Sequence, residues 1–159
     1  MVKTKQFAES TYVGDPLNAV KIFNDKEVDE IVFLDIQATK NRISPNYEMI
    51  EKIASECFMP LAYGGGITNI KQIDKILEIG VEKIVINSCV ISNPKIINQI
   101  AKIIGSQSVV VSIDIKKNFF GNYSIFSHSE NKLISSNIID YIKKVEELGA
   151  GEIIINSVD

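Results

Sequence analysis

Five short apolar runs each deliver a group suited to chemistry at their downstream end. Residues 31–34 run into Asp35, 60–63 into Gly64-Gly65-Gly66, 84–86 into Asn87-Ser88, 109–113 into Asp114, and 153–155 into Asn156-Ser157. Carboxylates exchange protons, glycine backbones admit close approach of phosphate oxygens, and Asn and Ser side chains hydrogen-bond polar substrates. Continuous Val/Ile/Leu runs are the pattern of parallel strands buried on both faces, and ligands bind such sheets at the carboxyl ends of the strands. All five groups are therefore expected on one rim. Asp114 reads either as a proton-transfer group, since a carboxylate held against an apolar lining is suited to exchange near neutral pH, or as an aspartate capping the following turn. Asp35 reads either as a substrate-positioning group or as a buried turn carboxylate. The glycine run reads either as a phosphate cradle or as a tight strand-to-helix turn.

The upstream ends of the runs carry a second set. Glu30, Lys83 and Glu152 each stand beside the start of a strand, which places three alternating charges around the opposite mouth of the array. Between the strands lie helical patterns with ordinary boundaries, the alternation of βα units. Asp15-Pro16 opens a helix directing Leu17, Val20 and Phe23 inward, and Ser44-Pro45 opens a second with Ile50, Ile53 and Cys57 on its apolar side. A third follows the glycines and stops at Gly80, a fourth runs from Asn93-Pro94 to Gly105, and a fifth from about Ser136 to Leu148. Residues 76–88 line up without a gap with 145–157, a repeated helix end, turn and strand that suggests successive units of one barrel. A hairpin insertion is expected at 118–127, after a strand ending at Asp114. The fold class expected is α/β, a single domain over residues 1–159 forming a partial (β/α)8 barrel without its first and last strands.

Composition narrows the function. The 159 residues are 45% hydrophobic and 23% charged with a net charge of −3, a globular balance without the basic face that nucleic acid or an anionic membrane requires. Cys57 and Cys89 lie in apolar contexts without metal-ligand spacing, pointing to reduced thiols and a cytoplasmic setting. No metal and no cofactor is expected. His128, the single histidine, falls in a polar stretch and reads as a solvated loop residue.

Taken in order, Val2-Lys3, Gly14-Asp15-Pro16, residues 29–36, Gly64-Gly65-Gly66-Ile67, Ile86-Asn87-Ser88, Asn93-Pro94, Gly105-Ser106-Gln107, Ile113-Asp114-Ile115-Lys116 and residues 149–153 resemble the cyclase subunit of imidazole glycerol phosphate synthase over essentially the whole chain. The resemblance implies an enzyme of histidine biosynthesis. In that family a glutaminase partner, bound as a heterodimer, supplies ammonia that converts a phosphorylated ribotide to imidazole glycerol phosphate and an aminoimidazole ribotide. It implies that Asp114 is one of two catalytic aspartates and that Lys3 belongs to a loop closing over substrate. It further implies that Gly64, Gly65, Gly66, Asn87 and Ser88 bind one phosphate and that Asp35 helps to position the substrate. Glu30, Lys83 and Glu152 would form an ammonia gate, equally readable as a structural ion network, and Glu82 would face the glutaminase. The second aspartate belongs to a first strand outside this sequence, so the chain alone is expected to be inactive; an inactive partial barrel is therefore one alternative. Residues 8–14 depart from the family's Asn-Leu-Arg-Asp type of loop, and Gln37 replaces a small or hydroxyl residue. These departures resemble a branch that supplies ammonia for amidination of a surface-polysaccharide sugar, a further alternative.

Overall fold

The computed structural model describes residues 1–5, 9–117, 121–128, 131–134 and 137–158. Among the described residues, four crossovers connect the parallel strands. Strands β3 (Ile31–Leu34), β4 (Leu61–Gly64), β5 (Lys83–Ile86), β6 (Val109–Lys117) and β9 (Glu152–Ser157) are parallel, and each pairs with the next in chain order. Helices α1 (Pro16–Asp25), α3 (Tyr47–Glu56), α4 (Ile70–Glu78), α6 (Lys95–Ile104) and α7 (Ile138–Glu147) provide the helical layer.

The distribution of side chains separates the two fold types that such an alternation allows. Leu61, Tyr63, Ile84, Ile86, Val109, Val111 and Ile113 share one continuous core with Ile50 and Ile53 of α3, Ile73 and Ile76 of α4, and Ile97 and Ile100 of α6. The alternate strand residues Ala62, Val85 and Val110, with Ile154 against them, cluster apart and include no helical residue. Helices thus cover one face only, and strand order follows chain order. A doubly wound sheet carries helices on both faces. The fold is α/β and consistent with part of a (β/α)8 barrel.

Local signals explain most boundaries. Asp15 Oδ1 accepts from Leu17 N at 2.8 Å with Pro16 in the first turn of α1, and Asn69 and Gln72 close a reciprocal capping box on α4. Several expectations need correction. The second long helix is capped by Asn46, whose Oδ1 accepts from Met49 N at 3.1 Å, so it begins beyond Ser44-Pro45. Phe23 is 41% exposed, since Ala19 and Val20 form the buried side of α1. The polar N-terminal residues form an antiparallel ribbon of β1 (Val2–Lys5) and β2 (Glu9–Tyr12) rather than a plain loop. Two short helices, α2 (Ile36–Asn41) and α5 (Ser88–Ser92), sit in rim connections that have no 3.6-residue apolar pattern to betray them.

The largest correction concerns β6. It continues past Asp114 to Lys117, and β7 (Tyr123–Ser127) returns antiparallel to it, followed by β8 (Lys132–Ile134). Ile115 pairs with Ile125 on one side and Ser157 on the other, so the hairpin lies on the β5 edge of β6, beyond the end of β5. Residues 118–120 of the expected insertion, Ser136 at the expected start of the fifth helix and Ala8 of the divergent loop lie outside the described residues.

Candidate active site

Asp114 is the centre of the rim. It is 5% exposed, and neighbouring strands supply both of its donors: Asn87, after β5, donates from Nδ2 to Oδ2 at 2.7 Å, and Asn156 of β9 donates from Nδ2 to Oδ1 at 3.0 Å. Asn156 Nδ2 also lies 2.9 Å from Ser112 Oγ, one strand period below Asp114. The parallel register explains this convergence, since Asp114 stands directly opposite Asn156. Because Asn87 reaches across to Asp114, α5 has no side-chain cap. A carboxylate fixed at both oxygens is preorganised for proton transfer, because its position is set before a substrate arrives.

The other rim residues divide. Asp35 caps α2, its Oδ1 accepting from Gln37 N and Ala38 N at 3.0 Å each, and its backbone N donates to Gly64 O at 2.7 Å. The three glycines meet structural demands. A Cβ on Gly64 would lie 2.8 Å from Val85 Cβ and from the Val85 carbonyl oxygen. One on Gly65, where φ is +129°, would lie 2.4 Å from the Asp35 carbonyl oxygen. Gly66 N donates to Thr39 Oγ1 at 3.4 Å. The capping box closes the start of α4, so a phosphate at this rim would meet the glycine turn and the Asn87-Ser88 end of β5 rather than the α4 terminus. Lys3 stands in β1 opposite Thr11, within the ribbon and apart from the main sheet.

At the opposite ends of the strands, Lys83 Nζ lies 2.6 Å from Glu30 Oε2 and 2.6 Å from Glu152 Oε1. Hydrogen bonds donated to Glu152 and Glu30 hold the Lys83 ammonium above the usual lysine range. Glu82 is exposed beside this floor. Beneath the rim, burial and then the Asp35 charge push the Tyr63 phenol well above its ordinary value, and its Oη donates to Gly65 O at 3.3 Å. Burial pushes the Cys89 thiol up to about 11, and both cysteines are free.

The signs of two of these shifts combine. The unfolded chain releases the Tyr63 proton near pH ~10, whereas the fold requires it, so stability falls above that pH. The contribution of Lys83 is fully present below its unfolded value of ~10.4 and is lost as pH rises through its higher folded value. Urea midpoints are therefore expected to begin to drop above about pH 10, and to drop less in Tyr63→Phe; equal drops in both proteins would contradict the role given to Tyr63.

One residue near the site was not legible as such. His128, expected in a solvated loop away from any reactive group, places Nε2 3.7 Å from Asp114 Oδ2. The signal that would have found it is the alternation Ser124, Phe126, His128, which shares a face with Ser112, Asp114 and Lys116 once the hairpin register is known. Among the described residues, no group of three His, Cys, Asp or Glu side chains is arranged to hold a metal ion, and no helix is long and apolar enough to cross a membrane.

A one-sided parallel β/α array with a fixed carboxylate on its rim is the architecture of a barrel-type α/β protein. A family model described as "Histidine biosynthesis protein" matches residues 1–159, and the chain belongs to that family. It is 52% identical over 160 residues to a provisionally named imidazole glycerol phosphate synthase subunit HisF of Leptospira borgpetersenii, and 51% over 160 residues to a provisionally named subunit hisF3 of Vibrio vulnificus. It is 38% identical over 160 residues to the imidazole glycerol phosphate synthase subunit HisF of Petrotoga mobilis. All of this chain is covered in each comparison, and it spans 63%, 62% and 64% of those proteins' lengths, respectively.

Proposed function

We propose that this chain carries the reactive rim of an imidazole glycerol phosphate synthase cyclase, a cytoplasmic enzyme that uses glutamine-derived ammonia to form imidazole glycerol phosphate and aminoimidazole carboxamide ribotide. The observation that carries the reading is Asp114, fixed by Asn87 and Asn156 at the downstream end of the same strands whose upstream ends carry Glu30, Lys83 and Glu152. Asp114 acts as a general acid and base as the imidazole ring closes. Its oxygens are held by neutral amides, which orient the carboxylate without removing its capacity to take a proton. The glycine turn with Asn87 and Ser88 holds one phosphate of the substrate, Asp35 fixes that turn, and Lys3 belongs to the segment that closes over substrate. At the floor, the Glu30–Lys83–Glu152 set gates ammonia delivered by a glutaminase subunit that docks in a heterodimer beside Glu82.

The gene product that carries this chain is expected to consume the phosphoribulosyl substrate with ammonium salt alone, and with glutamine only when the glutaminase is added. Loss of substrate absorbance is the measurement. Absence of turnover from a folded protein under both conditions would overturn the cyclase reading.

A second reading has its own support. Relatives at 52% and 51% identity carry provisional names, one of them designated hisF3, whereas plainly named HisF proteins match at 35–40%. Thr11, Tyr12 and Val13 in the departing loop are exposed and carry no basic side chain. Under this reading the chain conducts ammonia for amidination of a sugar. Growth of a histidine auxotroph restored by the gene product would decide for the first.

A further inference from the structure

We propose that His128 is a positioning residue for Asp114, setting the charge beside the carboxylate from the solvent side; the proposal rests on Asp114 being the proton-transfer group. The hairpin makes this possible. Ile115 opposite Ile125 and Lys116 opposite Ser124 align the strands so that Asp114 and Lys116 of β6 share a face with Ser124, Phe126 and His128. The imidazole edge meets the Phe126 ring with centroids 4.7 Å apart and planes at 87°, and Lys116 Nζ lies 5.4 Å from the centroid of that ring. These contacts lodge the imidazole over the rim. Its Nε2 is 3.7 Å from Asp114 Oδ2, the oxygen that also accepts from Asn87, a separation beyond hydrogen-bond reach but within ion-pair range when the ring is protonated. The His128 side chain is 33% exposed and that of Asp114 6%, so the histidine forms the outer layer over a buried carboxylate.

Among the described residues, the charged side chains on this face of β6 and β7 are Asp114 and Lys116, with the titratable His128. The donors fixing Asp114 are uncharged amides, and Lys116 is seated over Phe126. His128 is the adjacent group whose charge can change without displacing the carboxylate. A cation at this distance favours the anionic form of a carboxylate.

The chain's single histidine makes one direct measurement possible, because its imidazole nitrogens give one set of 15N resonances. The Nε2 resonance at fixed pH is expected to shift in Asp114→Asn and to stay unmoved in Asp74→Asn, on the exposed side of α4. If Asp114→Asn does not fold, Asp114→Glu, which displaces the charge, is expected to shift the same resonance. In the gene product, His128→Ala is expected to lower kcat about tenfold with KM within about twofold, and His128→Gln to fail to restore it. Added imidazole is expected to rescue His128→Ala and leave the wild type unchanged. An Nε2 resonance indifferent to Asp114, or a His128→Gln enzyme with wild-type kcat, would overturn the proposal. A resonance that follows Asp114 in a protein without cyclase turnover would uphold the pairing and reject the cyclase reading instead.

Discussion

Asp114→Asn is expected to reduce ammonium-dependent turnover by about a thousandfold or more, a loss at the upper part of the range for removing a positioned general acid or base. The substitution preserves side-chain size and removes the capacity to exchange a proton. It also disturbs a matched set of hydrogen bonds. Asn87 Nδ2 and Asn156 Nδ2 both donate to the carboxylate, so an amide in its place presents an NH2 to one of two donors. The stability cost of that mismatch is about 1–3 kcal/mol in a site only 5% exposed, small enough for the folded protein to be assayed. Steady-state kcat and a urea titration on the same sample separate the two effects. Turnover within tenfold of the wild type would remove Asp114 from the chemistry.

The largest stability effect is expected from Gly65→Ala. An alanine there must adopt φ near +129° and place its Cβ 2.4 Å from the Asp35 carbonyl oxygen, with backbone on the far side and no flexible side chain to yield. Strain of about 1–3 kcal/mol and overpacking of a similar size together give a loss of roughly 3–5 kcal/mol, or about 2 M in the urea midpoint. Gly80→Ala provides the comparison. Its φ is +108°, but nothing lies within 4 Å of the added Cβ, so only the strain, about 1–3 kcal/mol, is expected. Equal losses for the two substitutions would show that the contact between the β4 turn and Asp35 is softer than its geometry indicates.

The parallel strands were legible as continuous apolar runs, although only β4, β5 and most of β6 are buried on both faces and Val32 and Leu34 of β3 are 42% and 40% exposed. The core boundaries of β3 follow from the sequence, and Asp114, Asn87 and Asn156 could be placed on one rim from the ends of such runs. Their convergence on one carboxylate could not be read, because it depends on the register that sets Asp114 opposite Asn156 and on the Asn87 side chain leaving the start of α5. Beyond Asp114 the polar Lys116 and Lys117 disguised the continuation of β6, whose pairing with β7 replaces burial as the force holding it extended. His128 was hidden for the same reason: its proximity to Asp114 is created by the hairpin and has no local signature. The glycine run was legible as a turn, but Asp35, Val85 and Ile43 as the neighbours that exclude a side chain come only from tertiary packing.

The floor ions have a consequence for assembly. Lys83 lies on the third of five parallel strands, while Glu30 adjoins the first and Glu152 belongs to the fifth. On a flat sheet, carboxylates two strands away on either side would originate about 10 Å from the lysine. Both nonetheless close on one ammonium at 2.6 Å, so the cation acts as the keystone of an arch: it is satisfied twice only when the sheet bows and when two strands separate it from each acid. A chain that docked β9 out of order would leave one carboxylate facing no partner. The three charges thereby check strand order as well as curvature.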